Sequence, residues 1–108
     1  MDITNLYRAV GESEFTSVME TKRFAVLDKG VQIKYFGLNF EETLVFANEV
    51  INIEIVAIFE VQIVTDVLNR VGDFTNVDQF LFKSGTIEIP AEKLDEFNNA
   101  IVKISHKY

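Results

Sequence analysis

The sequence predicts an α+β fold: one compact domain over residues 1–108, with a mixed or antiparallel sheet and short helices. Three observations carry this. Several short stretches alternate apolar and polar residues with period two, as half-buried strands do. Between them lie capped stretches with apolar residues at helical spacing. Turn signals fall close enough together for hairpins, which join antiparallel strands.

The elements follow in order. Residues 3–10, Ile-Thr-Asn-Leu-Tyr-Arg-Ala-Val, read as a first strand. Gly11 or Ser13 then caps a helix to Thr21, with Phe15, Val18 and Met19 on one face. Asp28-Lys29-Gly30 is a turn signal. Residues 31–36 form the next strand, with Val31, Ile33 and Tyr35 set against Gln32, Lys34 and Phe36. Asn39 caps a helix to about Glu49, and Glu42 is placed to reach back to it. Residues 51–64 give the strongest strand signal. Both of their faces are apolar around Val56 and Ile58, so a central strand covered on both sides is expected.

Thr65-Asp66 starts a short helix through Arg70, and Gly72 ends it. Residues 78–83 read as a strand, Ser84-Gly85 as a tight turn, and residues 86–89 as the returning strand. Pro90 suits the start of a helix over residues 91–98, and residues 100–105 alternate again as a last strand.

Composition narrows the function classes. Hydrophobic residues make up 48% of the chain and ten residues are Phe, enough for a packed interior. Cysteine is absent, which removes thiol nucleophiles and cysteine metal sites. His106 is the single histidine, so a histidine triad or a multi-histidine zinc site is not expected, and no metal ligands are assigned. The net charge of −7 argues against nucleic-acid binding, which wants a basic surface. It favours a basic partner or simply solubility. No apolar run approaches the ~20 residues of a membrane span. The sequence begins without the basic and apolar regions of a signal peptide. The expectation is a soluble protein, cytoplasmic or secreted as the C-terminal part of a larger one.

Most carboxylates sit at helical spacing on solvated faces, and no Walker loop, GxGxxG or EF-hand pattern is present. One constellation remains: Arg8 on the first strand, Lys34-Tyr35-Phe36 on the second, and Asp78-Gln79 before Phe80-Leu81-Phe82. An arginine inside an apolar stretch needs a partner, since stripping its water costs several kcal/mol. A nicotinamide dinucleotide site uses such parts. Arginine clamps a phosphate or ribose. An aromatic ring stacks on the nicotinamide. A carboxylate or amide stabilises the cationic centre that forms as the glycosidic bond breaks.

The order of the motifs resembles ADP-ribosyltransferase-like domains at the C-termini of bacterial polymorphic toxins. The matching segments are Tyr7-Arg8-Ala9-Val10, Ser13-Glu14-Phe15, Ile33-Lys34-Tyr35-Phe36-Gly37 and Glu42-Thr43-Leu44-Val45-Phe46-Ala47. Ile53 to Val61, Val67-Leu68, Ile87-Glu88-Ile89-Pro90 and Leu94-Asp95-Glu96-Phe97-Asn98 continue the match, which spans nearly the whole chain. Where arginine-type transferases carry a Ser-Thr-Ser-like strand, this chain has Lys34-Tyr35-Phe36-Gly37.

The resemblance implies an ADP-ribosyltransferase-like toxin domain. It would take NAD as substrate and transfer ADP-ribose to a macromolecular target, or hydrolyse NAD. Arg8 and Tyr35 would bind the dinucleotide. Gln79 or Asp78 would act at the reacting ribose, with Glu88 a lesser choice. The alternative expectation is a noncatalytic acidic interaction protein, such as an immunity protein against a basic bacterial toxin.

Overall fold

The computed structural model describes residues 2–25, 33–49, 56–75 and 82–106. The chain runs β1 (Ile3–Val10), α1 (Glu12–Thr21), β2 (Ile33–Gly37), α2 (Phe40–Glu49), β3 (Ala57–Val64) and α3 (Thr65–Val71). It continues with β4 (Asp73–Thr75), β5 (Thr86–Pro90), a single 3-10 turn (Ala91–Lys93), α4 (Leu94–Asn99) and β6 (Ile101–His106). The strands form one sheet in the order β4-β5-β2-β1-β3-β6, with every neighbouring pair antiparallel. The fold is α+β, and its sheet is antiparallel rather than mixed.

One face of the sheet carries the main core. Leu6 and Val10 of β1, Phe36 of β2, Phe59, Val61 and Ile63 of β3, and Ile87 and Ile89 of β5 meet Val18, Leu68, Val71, Leu94 and Phe97 of the helices. Four of the ten phenylalanines interlock at its centre. The Phe24 ring lies 5.2 Å from Phe36 and 6.0 Å from Phe59, edge-on to both, and 6.3 Å from Phe97. Edge-on rings contribute beyond their buried area. Phe24 lies outside any helix or strand. Its backbone is held instead by the buried Asn98 amide, which accepts from Phe24 N and donates to Phe24 O, both at 2.8 Å.

The other face is covered in part, by α2. Ile58, Thr43, Ala47 and Phe82 are buried there, and the Phe46 and Phe82 rings lie 5.0 Å apart. Gly37 of β2 permits this packing. A Cβ at Gly37 would stand 2.4 Å from Thr43 Oγ1 and 3.1 Å from Phe82 Cε1.

Several expectations change on contact with the structure. Of the strand expected over residues 51–64, residues 51–55 lie outside the described residues and Val56 is exposed outside the strand. In β3, Ala57, Phe59, Val61 and Ile63 are buried on one face, but Ile58 alone is buried on the other, because α2 covers one end only. Its neighbours are β1 and the edge strand β6, so β3 lies one place in from the edge. The alternation expected in β2 left its inward face open, and the structure decides it. Lys34 and Phe36 face the core, and Tyr35 is 41% exposed. Burying a lysine demands a counter-charge, and Glu14 supplies it.

Asn39 caps α2 through its side chain, accepting from Glu42 N at 3.0 Å. The Glu42 carboxylate does not reach back. It accepts from Ser84 N and Oγ, at 3.0 and 2.8 Å, and ties α2 to the turn before β5. The strand expected over residues 78–83 lies mostly outside the described residues, and Lys83 and Ser84 form a turn closed by Gly85 at φ 89°. β5 pairs instead with β2 and with β4. Gly72 ends α3 in extended, not left-handed, backbone. Its value is space, since a Cβ there would meet Ile87 Cδ1 at 2.5 Å. Pro90 closes β5 and precedes the 3-10 turn that leads into α4.

Candidate functional site

The sheet is parted along one line. β1 and β3 are paired over eight successive residues, from Ile3↔Val64 to Val10↔Ala57. β2 and β5 are paired over five. Among the described residues, β1 and β2 share one register pair, Tyr7↔Gly37. Beyond it the two strands diverge, and a cleft of about 260 Å³ opens between them. Its walls are β1 from Tyr7 to Val10, Gly11, Glu14 of α1, and Tyr35, Phe36 and Gly37 of β2. Thr43 and Phe46 of α2, with Phe82 and Thr86, close the far side. Five of these wall residues are aromatic, so the cleft suits a flat, partly apolar group. Ligand pockets run from about 300 to 1,000 Å³, so this cleft holds one ring-bearing fragment rather than a whole dinucleotide.

Arg8 spans the parting. Its position on β1 is opposite Phe59, which turns its side chain toward the core face. There Nε donates to Glu14 Oε2 at 2.6 Å and Nη2 to Glu14 Oε1 at 3.1 Å, a two-pronged charged pair. On the other side Nη1 donates to Tyr35 O at 2.9 Å, a carbonyl of the diverging strand. The guanidinium carbon lies 5.9 Å from the Phe36 ring centroid, within cation–π range. Lys34 Nζ joins the cluster at 3.1 Å from Glu14 Oε1. The Arg8 and Glu14 side chains keep 21% and 15% exposure, while Lys34 keeps 3%.

Two cations thus share one carboxylate, leaving a net charge of +1 beside the cleft. Burial pushes the Glu14 carboxyl upward, but the hydrogen bonds and charge of Arg8, then those of Lys34, outweigh it and hold it below the ordinary carboxylate range. Burial and the neighbouring Arg8 charge lower the Lys34 ammonium, against the pull of Glu14.

The residues expected from the sequence are placed as follows. Arg8 and Tyr35 both line the cleft, from opposite strands. Arg8 is engaged by Glu14 and Tyr35 O, so a clamp on a ligand would require it to exchange partners. Tyr35 lies opposite Glu88 of β5. Burial, followed by the charge and hydrogen bond of Glu88, raises its phenol above the usual value. Asp78 and Gln79 lie outside the described residues.

Sequence reasoning missed Glu14 as a member of the site; it placed Lys34 in the constellation without pairing it with Glu14. The available signal was the six-residue spacing from Arg8 to Glu14 across Gly11, where a helix turns back over its own strand. Tyr7 was also missed. Its hydroxyl donates to Glu60 Oε2 at 3.1 Å, and burial, then Glu60, raises its pKa. No group of three or more potential metal ligands occurs among the described residues. In the same residues no helix is long and apolar enough to cross a membrane. Comparison with known proteins returns no match among family models, curated proteins or solved structures.

Proposed function

We propose that the cleft between β1 and β2 binds the nicotinamide half of NAD, and that the chain is an ADP-ribosyltransferase-like domain acting on a macromolecular target. The observation that carries this reading is the parting of the sheet itself. A ladder broken after a single register pair, with aromatic side chains and a guanidinium in the gap, exposes strand backbone to a ligand. Buried strand groups otherwise find partners, so a gap of this kind suits an occupant. In this reading an aromatic wall stacks on the nicotinamide ring. The positive cluster faces the phosphate-bearing end. Asp78 or Gln79 stabilises the ribose cation as nicotinamide departs.

Thermal melting with NAD tests the binding. A ligand that binds the folded state alone raises the melting temperature by mass action. NAD at millimolar concentration is expected to raise it, and Phe46→Ala is expected to reduce the rise. Released nicotinamide is then assayed in the wild type and in Asp78→Asn and Gln79→Ala variants, of which at least one should lose turnover. A well-folded protein that melts at the same temperature with and without NAD would refute the reading.

The occupation of Arg8 by a carboxylate of its own chain favours a second reading, a noncatalytic acidic protein that binds a basic toxin. A missing NAD shift, together with tight association with a basic protein partner, would select it.

A further inference from the structure

We infer that Glu14 is an internal stand-in for an anionic ligand group. It occupies the Arg8 fork in the free protein, and an incoming phosphate displaces it onto Lys34. This rests on the reading of the cleft as a nucleotide site and adds how that site opens.

Three features carry the inference. Glu14 offers Arg8 the two-oxygen geometry that a phosphate offers, on the Nε/Nη2 edge that recognises oxyanions in two-pronged fashion. Both Arg8 and Glu14 line the cleft, so the exchange happens where a ligand enters. Glu14 Oε1 is already shared with Lys34 Nζ at 3.1 Å, so a carboxylate leaving the fork keeps a cationic partner and is not stranded.

The charge balance points the same way. Two cations and one anion leave +1 in a largely buried cluster, and a bound phosphate offsets that excess. The hydrogen bond from Nη1 to Tyr35 O is not part of the exchange, so the guanidinium stays in place while its other edge changes partner. Arg8 is thus held ready for a ligand and shielded until one arrives.

Inorganic pyrophosphate is the probe, titrated calorimetrically into the full chain. If the fork is open about a tenth of the time, freeing it tightens binding about tenfold. Glu14→Gln is expected to show that gain. Glu12→Gln removes the same charge two residues away and controls for long-range attraction; it should gain far less. Equal gains, or no gain in Glu14→Gln, overturn the inference. Should Glu14→Gln fail to fold, the Arg8 Nε–H resonance of the wild type decides. It should move as pyrophosphate is added up to tens of millimolar, and an unmoved resonance overturns the exchange. The two readings fail separately. Pyrophosphate bound tightly by Glu14→Gln without any NAD binding would sink the nicotinamide proposal alone. NAD binding with no gain in Glu14→Gln would sink the exchange alone.

Discussion

Asn98 is the most testable structural commitment in this chain. It is 7% exposed, and its side-chain amide completes both hydrogen-bonding groups of Phe24. Replacing it by alanine leaves a buried N–H and a buried C=O without partners. Each unsatisfied group costs roughly 1–3 kcal/mol, so Asn98→Ala should destabilise by about 2–6 kcal/mol. That is a large share of the roughly 5–15 kcal/mol typical of a domain. The loss extends to packing, because the amide also fixes the ring at the middle of the aromatic cluster.

Asn98→Asp sharpens the test. A carboxylate still accepts from Phe24 N, but it faces Phe24 O with negative charge. The folded-state pKa of that Asp should rise above its unfolded value. Stability should therefore increase as pH falls through the raised pKa, where the protonated acid donates to Phe24 O. Urea unfolding of wild type, Asn98→Ala and Asn98→Asp at pH 7 and pH 5 measures all of this. An alanine variant within about 0.5 kcal/mol of wild type, the usual range for a surface change, would refute the reasoning.

Four other outcomes are expected. Gly37→Ala should cost about 1–3 kcal/mol by overpacking and should alter the cleft, since its methyl group meets Thr43 and Phe82; melting and ligand titration check both. Ile58→Asp should abolish cooperative unfolding, because it places an unpaired charge at a fully buried position. Lys22, at φ 58° after α1, is strained for a side chain, so Lys22→Gly should raise stability by up to about 1 kcal/mol in a denaturant melt. Acid titration should expose Glu14. Its folded pKa is depressed, so the stability it contributes is present above the unfolded carboxylate pKa and disappears as pH falls through the lower folded value; Glu14→Gln should flatten that part of the profile.

Most elements were legible in the sequence, short ones included: α3, β5 and β6 lie within one residue of where turn and cap signals put them. β1, α1 and α2 are eight to ten residues long and lie where alternation, spacing and the caps Gly11 and Asn39 put them. β4 is three residues long with an exposed Phe74, too short for any period to register. The inward face of β2 stayed open for a different reason. Alternation sets Tyr35 against Lys34 but does not choose between the two faces; that choice rests on Glu14, which offsets the desolvation of Lys34 from another element. The same blindness hid the cluster. Arg8 announced itself as an arginine that needed a partner, and which carboxylate answered depended on how α1 folds back over β1. The place of the cleft was legible, since Arg8 and Tyr35 were read together and both line it; its shape was not, since it arises from strands that fail to pair.

That parting also bears on how the molecule breathes. Two leaves, β6-β3-β1 and β2-β5-β4, are each held by ladders of three or more register pairs, while among the described residues β1 and β2 share one across the line between them. Cohesion there rests on side chains, on the phenylalanine cluster and on Arg8 reaching to Tyr35 O. Partial opening along this line sacrifices little of either ladder, so it should be the lowest-energy sub-global excursion of the sheet. Native-state hydrogen exchange would then see two protected blocks that exchange at different rates, with the amides beside the line released first.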